Sequence, residues 1–524
     1  MQHFFEFDRG PRAPRAAVRH AALWAASALC VVFPACQNAE RPLPRALAAK
    51  DGADAPQQDI WEAFYLQDSK IGHGHTTERP QTRNGQALVR VDSLNHLSIS
   101  RFGQRTEQDF QTSTLETPDG RVIELHTEVA FGPSPTLVDG HVEGRQMVIE
   151  THTKGSQTTD RIAWSDEIRG FRAVEQSLER QPLKAGEKRT LKMLMPLINQ
   201  VADVELTARD FETTTVLGVQ TKLLRIETVA RLPDGNRIGS TQWTDAQGQT
   251  IKTRVEALQQ ESYRTTRELA IAEQPAGATF DLGSDLIVKP PRPLANPHQT
   301  REVRYRVELA SEDPAKVFAS GATQAVRSVN PHTAEVTVRS LRPRDLPPAD
   351  KASEPVAAKY TAANNVLQID DPRVQAMARE GKGNAANTRD VAIGLERYVH
   401  RVMTKKNFKQ AFATAAEVAE SREGDCSEHA VLLAALARAC QIPSRVAIGL
   451  VYVDSAAGFG YHMWTEMYLD GWWVPMDAVL GQGGTSAAYL KLTDTSLDGP
   501  AAYSSFLPVA QVVGQLKINV LAAE

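Results

Sequence analysis

Between residues 60 and 261 apolar and polar positions alternate with the period of two that turns one face of a strand inward. Val89 and Val91, Leu97 and Ile99, Val122 with Glu124, and Leu224 with Ile226 carry the pattern. Turn-forming clusters punctuate it at Asn84-Gly85, Pro118-Asp119-Gly120, Asp139-Gly140, Pro233-Asp234-Gly235 and Gln247-Gly248. Residues 61–66 and 71–75 flank Asp68-Ser69-Lys70 as a first hairpin. Helical periodicity is weak throughout this stretch. The expectation for 60–285 is an open, mostly antiparallel sheet of many strands, with two related halves as one arrangement open to it.

Pro290, Pro291, Pro293 and Pro297 interrupt the alternation, so 286–298 reads as a linker. Alternation resumes over 299–341, with Val303, Tyr305, Val307 and Leu309 on one side and Arg304, Arg306 and Glu308 on the other. This small β unit is either a module of its own or an edge of the C-terminal domain. A second proline-bearing stretch, 342–370, leads into residues 371–524, where helical spacing takes over. Asp371-Pro372 opens a short helix, and Thr388 caps one carrying Val391, Leu395, Tyr398, Val399 and Val402. Residues 413–419 suit another short helix. The Ala/Leu-rich run Ala430 to Ala439, stopped by Ile442-Pro443, reads as a buried one. Strands are expected at 445–453, 461–469, 472–477 and 489–493. Helices followed by antiparallel strands make an α+β order.

The chemistry gathers at the start of the Ala/Leu-rich helix. Gly424 breaks the chain, Asp425 is a good N-cap, and Glu428 stands where a capping box needs it. Cys426 therefore falls in the first helical turn, where free N–H groups and the positive dipole end favour a thiolate. His462 sits on one expected strand and Asp477 ends the next, with the loop Asp470-Gly471 between them. Strands joined that tightly pair as a hairpin, which brings His462 beside Asp477. Thiol, imidazole and carboxylate can then act as a triad.

Gly424-Asp425-Cys426 opening a helix, His462-Met463-Trp464 on a strand, and Gly471-Trp472-Trp473-Val474-Pro475-Met476-Asp477 together resemble the bacterial members of the transglutaminase-like superfamily, relatives of the papain-like thiol enzymes. The resemblance runs over residues 388–497. It implies a multi-domain chain: an N-terminal, mostly antiparallel β region followed by a C-terminal α+β transglutaminase-like (papain-like) domain spanning 371–524. It also implies roles, with Cys426 as nucleophile, His462 as base and then acid, and Asp477 holding the imidazole tautomer. Backbone N–H groups at the helix start would meet the oxyanion. In relatives an upstream Trp or Gln helps; here Asn407 and Gln410 are the nearest upstream amide side chains, and neither matches a motif. Trp464, on the same strand face as His462, either shields the pair from water or is core packing. His429 is a rival base by proximity, yet helix geometry sends its side chain back along its own element.

Composition adds limits. A chain of 524 residues should hold two to four domains, and a formal charge of −4 gives no reason to expect nucleic acid as a partner. Arg9, Arg12, Arg15 and Arg19 precede an apolar run over 21–35, the pattern of an export signal over 1–36. Phe33-Pro34-Ala35-Cys36 resembles a lipoprotein box, with an ordinary signal peptide or an uncleaved anchor as the other readings. Residues 37–59 read as a tether. The expected location is the periplasm or cell envelope, with Cys36 the candidate for a lipid anchor, while Cys30 has no assigned role. No later apolar run approaches membrane-spanning length. Along a helix Cys426 and Cys440 would lie about 21 Å apart, so they cannot form a disulfide, and Cys440 is expected in the core. His73 and His75 alternate on one strand without a third ligand at a convincing spacing, so a solvated face is expected rather than a metal. No cofactor and no metal are expected.

The resulting expectation is an exported thiol enzyme acting on amide bonds of peptides or proteins through Cys426, His462 and Asp477. A thioester intermediate would be resolved by water, as in a protease, or by an amine, as in an acyltransferase. The competing class is a non-enzymatic cell-envelope binding or scaffold protein whose thiol domain is vestigial. The substrate and the oligomeric state are not set by the sequence.

Overall fold

The computed structural model describes residues 57–524 apart from 67, 102, 131–132, 256–259, 274–279, 282, 349–355, 407–411 and 500–501. Cys30 and Cys36 of the expected signal segment, most of the expected tether, and Asn407 and Gln410 lie outside the described residues. The chain divides into two compact units at Phe280/Asp281.

The first unit is one continuous sheet, antiparallel except for one parallel pair at its edge, plus helices. Its first eight strands are β1 (Gln58–Leu66), β2 (Ser69–Arg83), β3 (Gln86–Arg101), β4 (Gln104–Glu116), β5 (Val122–Val129), β6 (Thr136–Glu143), β7 (Gln146–Thr153) and β8 (Ser156–Ala163). Helix α1 (Ala173–Arg180) interrupts the second run, β9 (Ile168–Arg169), β10 (Lys188–Met195), β11 (Gln200–Val216), β12 (Val219–Arg231), β13 (Arg237–Thr244), β14 (Thr250–Val255) and β15 (Gln260–Thr265). A short helix, α2 (Arg267–Ile271), follows. Each strand pairs with its sequence neighbour except β8 and β9, which form the two edges, and β1 pairs with β15, so two meandering arms join at that seam into one sheet of fifteen described strands. An open sheet of this width curls, because strand twist accumulates. The core shows the curl directly: Val122, Leu125, Met147 and Ile149 of one arm pack with Ile168 and Leu194 of the other.

Turn chemistry explains most of the registers. Asn84 and Gly85 both take positive φ, 53° and 76°, as the two-residue turn between β2 and β3 demands. Asp139-Gly140 is different. It lies inside β6, opposite His126 and Leu125, and the turn falls instead at Gly144-Arg145. Gly140 is needed there because a Cβ would stand 3.2 Å from Leu125 Cβ. His75 stacks on Trp61 at 3.9 Å between ring centroids and bonds Asp59 at 2.8 Å. His73 is half-buried, and desolvation together with the neighbouring His96 lowers its pKa to about 4.

The second unit begins with the proline-rich segment laid along it. Val288 and Phe459 exchange backbone hydrogen bonds of 2.9 and 2.8 Å, and Leu294 is buried. Strands β16 (Glu302–Glu308), β17 (Gln324–Asn330) and β18 (Thr333–Arg339), with the one-turn helix α3 (Pro314–Val317) between the first two, form the small sheet. Its fourth strand comes from Lys517–Ala523, which pairs with β16 from the far end of the sequence. Tyr305 of β16 donates to Ala487 O over 2.8 Å, and Gln324 Nε2 to Lys491 O over 2.7 Å.

Helices α4 (Pro372–Lys382), α5 (Thr388–Val402), α6 (Ala415–Ser421) and α7 (Cys426–Ala439) pack before the strands β19 (Ser444–Val453), β20 (Gly458–Leu469), β21 (Trp472–Met476) and β22 (Tyr489–Thr495). The caps follow local chemistry. Asp371 caps α4, and Thr414 closes a capping box on α6 with Glu417. The cap of α5 is Asn387 rather than Thr388: the amide oxygen accepts from Asp390 N over 2.9 Å, and Thr388 is the first helical residue. Strand order β21-β20-β19-β22 places β20 between β21 and β19, with α7 against β19 and β20. Thr465 Oγ1 of β20 donates to Ala430 O of α7 over 2.9 Å, pinning helix to sheet.

Candidate active site

Cys426 is the first residue of α7. Asp425 accepts from Ser427 N over 2.8 Å, and Glu428 Oε2 accepts from Asp425 N over 2.9 Å, so the capping box read from the sequence is formed. Glu428 Oε1 also accepts from Ala413 N over 3.1 Å. Burial, reinforced by the charge of Asp425, pushes the Glu428 carboxyl up to about 8. These bonds fix the first turn of the helix, and with it the sulfur. The N–H of Cys426 itself, at the first helical position, faces no intrahelical acceptor.

His462 lies on β20. Leu469 pairs with Trp472 around Asp470 and Gly471, whose φ values of 50° and 90° are those of a tight hairpin turn. The ladder runs back to Thr465 opposite Met476, so Asp477 emerges one residue past the last pair and turns toward His462. His462 Nε2 lies 2.9 Å from Asp477 Oδ2. The Cys426 thiol stands near enough to help raise the pKa of the ring. His462 and Asp477 are bonded and Cys426 lies near them, and each of the three is less than a tenth exposed.

The electrostatics follow from that geometry. Desolvation works against charge on the His462 ring, but the charge and hydrogen bond of Asp477, with Cys426 adding to them, raise its pKa to about 10. Burial disfavours the Asp477 carboxylate too, yet His462, Tyr489 and the N–H of Val479 together lower its pKa. The site is arranged to hold an imidazolium against a carboxylate.

Two participants were not foreseen from the sequence. Tyr489, at the start of β22, donates its hydroxyl to Asp477 Oδ2 over 2.7 Å. Glu396, on α5 and fully buried, accepts from the N–H groups of Asp477 (3.0 Å), Gly483 (2.5 Å) and Gly484 (3.1 Å). A signal for Glu396 existed: it shares the stripe of Ala392, Leu395 and Val399, where an acid is out of place unless something binds it. Tyr489 offered none beyond its place in an expected strand.

Trp464 stands on the same face as His462, with ring centroids 6.4 Å apart, and is packed with Tyr489, Ala447 and Val451. His429 is buried, and its Nδ1–H donates to Asp425 O over 2.6 Å, back along the helix. Burial lowers its pKa. Cys440 caps the C-terminal end of α7, half-buried, and both it and Cys426 are free thiols. Among the described residues no three His, Cys, Asp or Glu side chains group as a metal cradle.

Residues 375–478 match the model of the transglutaminase-like superfamily. No curated protein matches the chain. Among solved structures the chain is similar to a candidate cysteine protease from Cytophaga hutchinsonii, at 14% identity over 41% of this chain and 83% of that one, with a TM-score of 0.27. It is similar to a candidate protease from Parabacteroides distasonis at 11% identity over 66% of this chain and 64% of that one, with a TM-score of 0.17. A beta-barrel-like protein of a domain of unknown function from Brucella abortus is similar at 13% identity over 40% of this chain and 97% of that one, with a TM-score of 0.27. The helices and antiparallel strands around Cys426 and His462, together with the family match at 375–478, make this part of the chain a transglutaminase-like domain.

Proposed function

We propose that the chain is a thiol enzyme that acts on amide bonds of peptides or proteins through Cys426, His462 and Asp477. The observation that carries this reading is the buried 2.9 Å hydrogen bond between His462 and Asp477, with Cys426 near the ring at the open end of a capped helix. The neutral imidazole of His462 takes the thiol proton, Asp477 stabilises the imidazolium that forms, and the sulfur attacks the amide carbon. The tetrahedral oxyanion meets the N–H of Cys426 and the positive end of α7. On collapse the C–N bond breaks, His462 returns its proton to the leaving amine, and a thioester remains on Cys426. Water resolves it in a hydrolase and an amine in an acyltransferase. Trp464 and Tyr489 keep bulk water from the His462–Asp477 pair. Export to the periplasm or cell envelope, with Cys36 as a lipid anchor, belongs to the same proposal and rests on the sequence of residues 1–36.

The test compares alkylation of the two free thiols by iodoacetamide near pH 6. Cys426 should react roughly a hundredfold or more faster than Cys440, and His462→Ala should bring it down to the rate of an ordinary thiol. Equal rates at the two cysteines in the wild type would favour the binding or scaffold reading instead. Incubation with a glutamine-bearing protein and a labelled amine then separates the two enzymatic outcomes, by incorporation of the amine against release of ammonia.

A further inference from the structure

Both oxygens of the Asp477 carboxylate have partners, and the two oxygens are used differently. Oδ1 accepts from Val479 N over 2.8 Å, while the main-chain N–H of Asp477 is held by Glu396 over 3.0 Å. Oδ2 takes two donors at once, His462 Nε2 at 2.9 Å and the Tyr489 hydroxyl at 2.7 Å. The first two bonds already fix where the carboxylate stands. What the Tyr489 bond adds is a change in the oxygen that faces the imidazole. A hydroxyl that donates to a carboxylate oxygen stabilises its negative charge, and the oxygen then pulls less strongly on a second donor.

The hydroxyl is held in that role. Tyr489 is buried, pairs with Val451 of β19, and meets the Trp464 ring edge-on with centroids 5.3 Å apart. It cannot swing away without opening the cluster it forms with Ala447, Val451 and Trp464. Burial and the Asp477 charge both push its phenol well above the ordinary 10, so it stays protonated and donates. The other ionisable groups that bear on the pair come from several elements. Cys426 and His429 lie on α7, with Asp425 and His400 acting on His429. Glu396 lies on α5, His298 precedes β16, and Arg342 follows β18. None of them is bonded to Oδ2.

We propose that Tyr489 is a positioning residue that moderates the triad: by sharing Oδ2 with His462, it weakens the pull of Asp477 on the imidazolium and so makes the ring readier to release its proton. The inference rests on reading Cys426, His462 and Asp477 as a triad. It goes beyond that reading by assigning control of the base to a fourth side chain.

The experiment follows the His462 ring nitrogens by NMR against pH in the full chain carrying Cys426→Ala, so that the ring titrates without the thiol. Tyr489→Phe removes one oxygen and keeps the ring, and it should raise the His462 pKa by roughly half to one pH unit. Uniform 3-fluorotyrosine labelling makes the hydroxyl a stronger donor and should move the titration downward, which covers a Phe variant that does not fold. With Asp477→Asn already in place, Tyr489→Phe should leave the titration where it is, since no carboxylate charge remains to moderate. An unmoved titration in a folded Tyr489→Phe chain overturns the proposal. So does a downward one, which would mean that the hydroxyl only holds the carboxylate in place, and so does an equal shift in the Asp477→Asn background. Iodoacetamide reads the sulfur and this titration reads the ring. A slow thiol with the expected shift would therefore defeat the enzymatic reading alone, and a fast thiol without the shift would defeat only the role of Tyr489.

Discussion

The main-chain N–H of Asp477 donates to Glu396 Oε1 over 3.0 Å, so an acid on helix α5 sets where the triad carboxylate leaves its strand. The same carboxylate holds Gly483 and Gly484, making it the clasp of the loop after Asp477. Glu396→Gln replaces one accepting oxygen by an amide donor aimed at an N–H. It should lower stability by about 2–3 kcal/mol in urea unfolding and slow Cys426 alkylation. An unchanged unfolding midpoint with unchanged alkylation would remove Glu396 from this role.

Glu396 also makes stability depend on pH in a definite direction. Burial, with the neighbouring Asp477 charge, pushes its carboxyl from the ordinary 4.5 up to about 7, although three N–H groups oppose the shift. The native state then binds more protons than the unfolded state between those values, so this group makes stability fall as pH rises from about 4.5 to about 7. Wild type minus Glu396→Gln, measured by denaturant unfolding across that window, should show a declining difference. A rising one contradicts the assignment.

Asp477→Asn tests the carboxylate's hold on His462. The His462 pKa is raised from 6.5 to about 10, so its contribution to stability is fully present below 6.5 and is lost as pH rises through about 10. Removing the Asp477 charge should bring the His462 titration down, as followed by ring-proton or nitrogen NMR. The stability gap between wild type and variant should be widest on the acid side of that window. A titration that stays in place means Asp477 does not govern the ring.

Gly424→Ala should be costly although the added group is one methyl. Gly424 has φ of 148°, and a Cβ there would lie 2.4 Å from Glu428 Cβ, inside the capping box that seats Cys426. Strain and overpacking together should cost about 2–4 kcal/mol. Wild-type thermal stability and alkylation rate in this variant would show that the turn before α7 is more forgiving than its geometry.

Arg438 holds the far end of the same helix. Its guanidinium is fully buried and donates to the carbonyls of Ala362, Ser444 and Ser496 at 2.8, 2.9 and 3.0 Å. Desolvation lowers its pKa to about 10, with Asp498 opposing. Arg438→Leu takes a buried donor from the Ser444 carbonyl and one of the two donors from that of Ser496, and should cost about 2–4 kcal/mol, read from the urea midpoint at pH 7. A loss within experimental error would mean that other donors replace it.

Much of the candidate site was legible because its parts are locally specified. The break at Gly424, the cap at Asp425 and the acid at Glu428 concern five adjacent residues, and helix-start chemistry acts over that range. His462 and Asp477 were joined through Asp470-Gly471, whose positive φ values make a two-residue hairpin the natural connection. Local rules failed where a neighbour from elsewhere decides. Asp139-Gly140 has the letters of a turn, but Leu125 on the adjoining strand turns that glycine into a point of close approach inside β6.

By itself the sequence determined the strand and helix periods, the capping box at Asp425, and the hairpin that carries the imidazole beside Asp477. Tertiary structure alone decided that Glu396 and Tyr489 hold Asp477, that Lys517–Ala523 completes the small sheet beside Glu302–Glu308, and that two arms of strands pack into one shared core. The physical reason is separation along the chain. Caps, turns and alternation are settled among residues a few positions apart, whereas a buried carboxylate finds its N–H partners some 80 residues away, at distances no pattern along the sequence encodes.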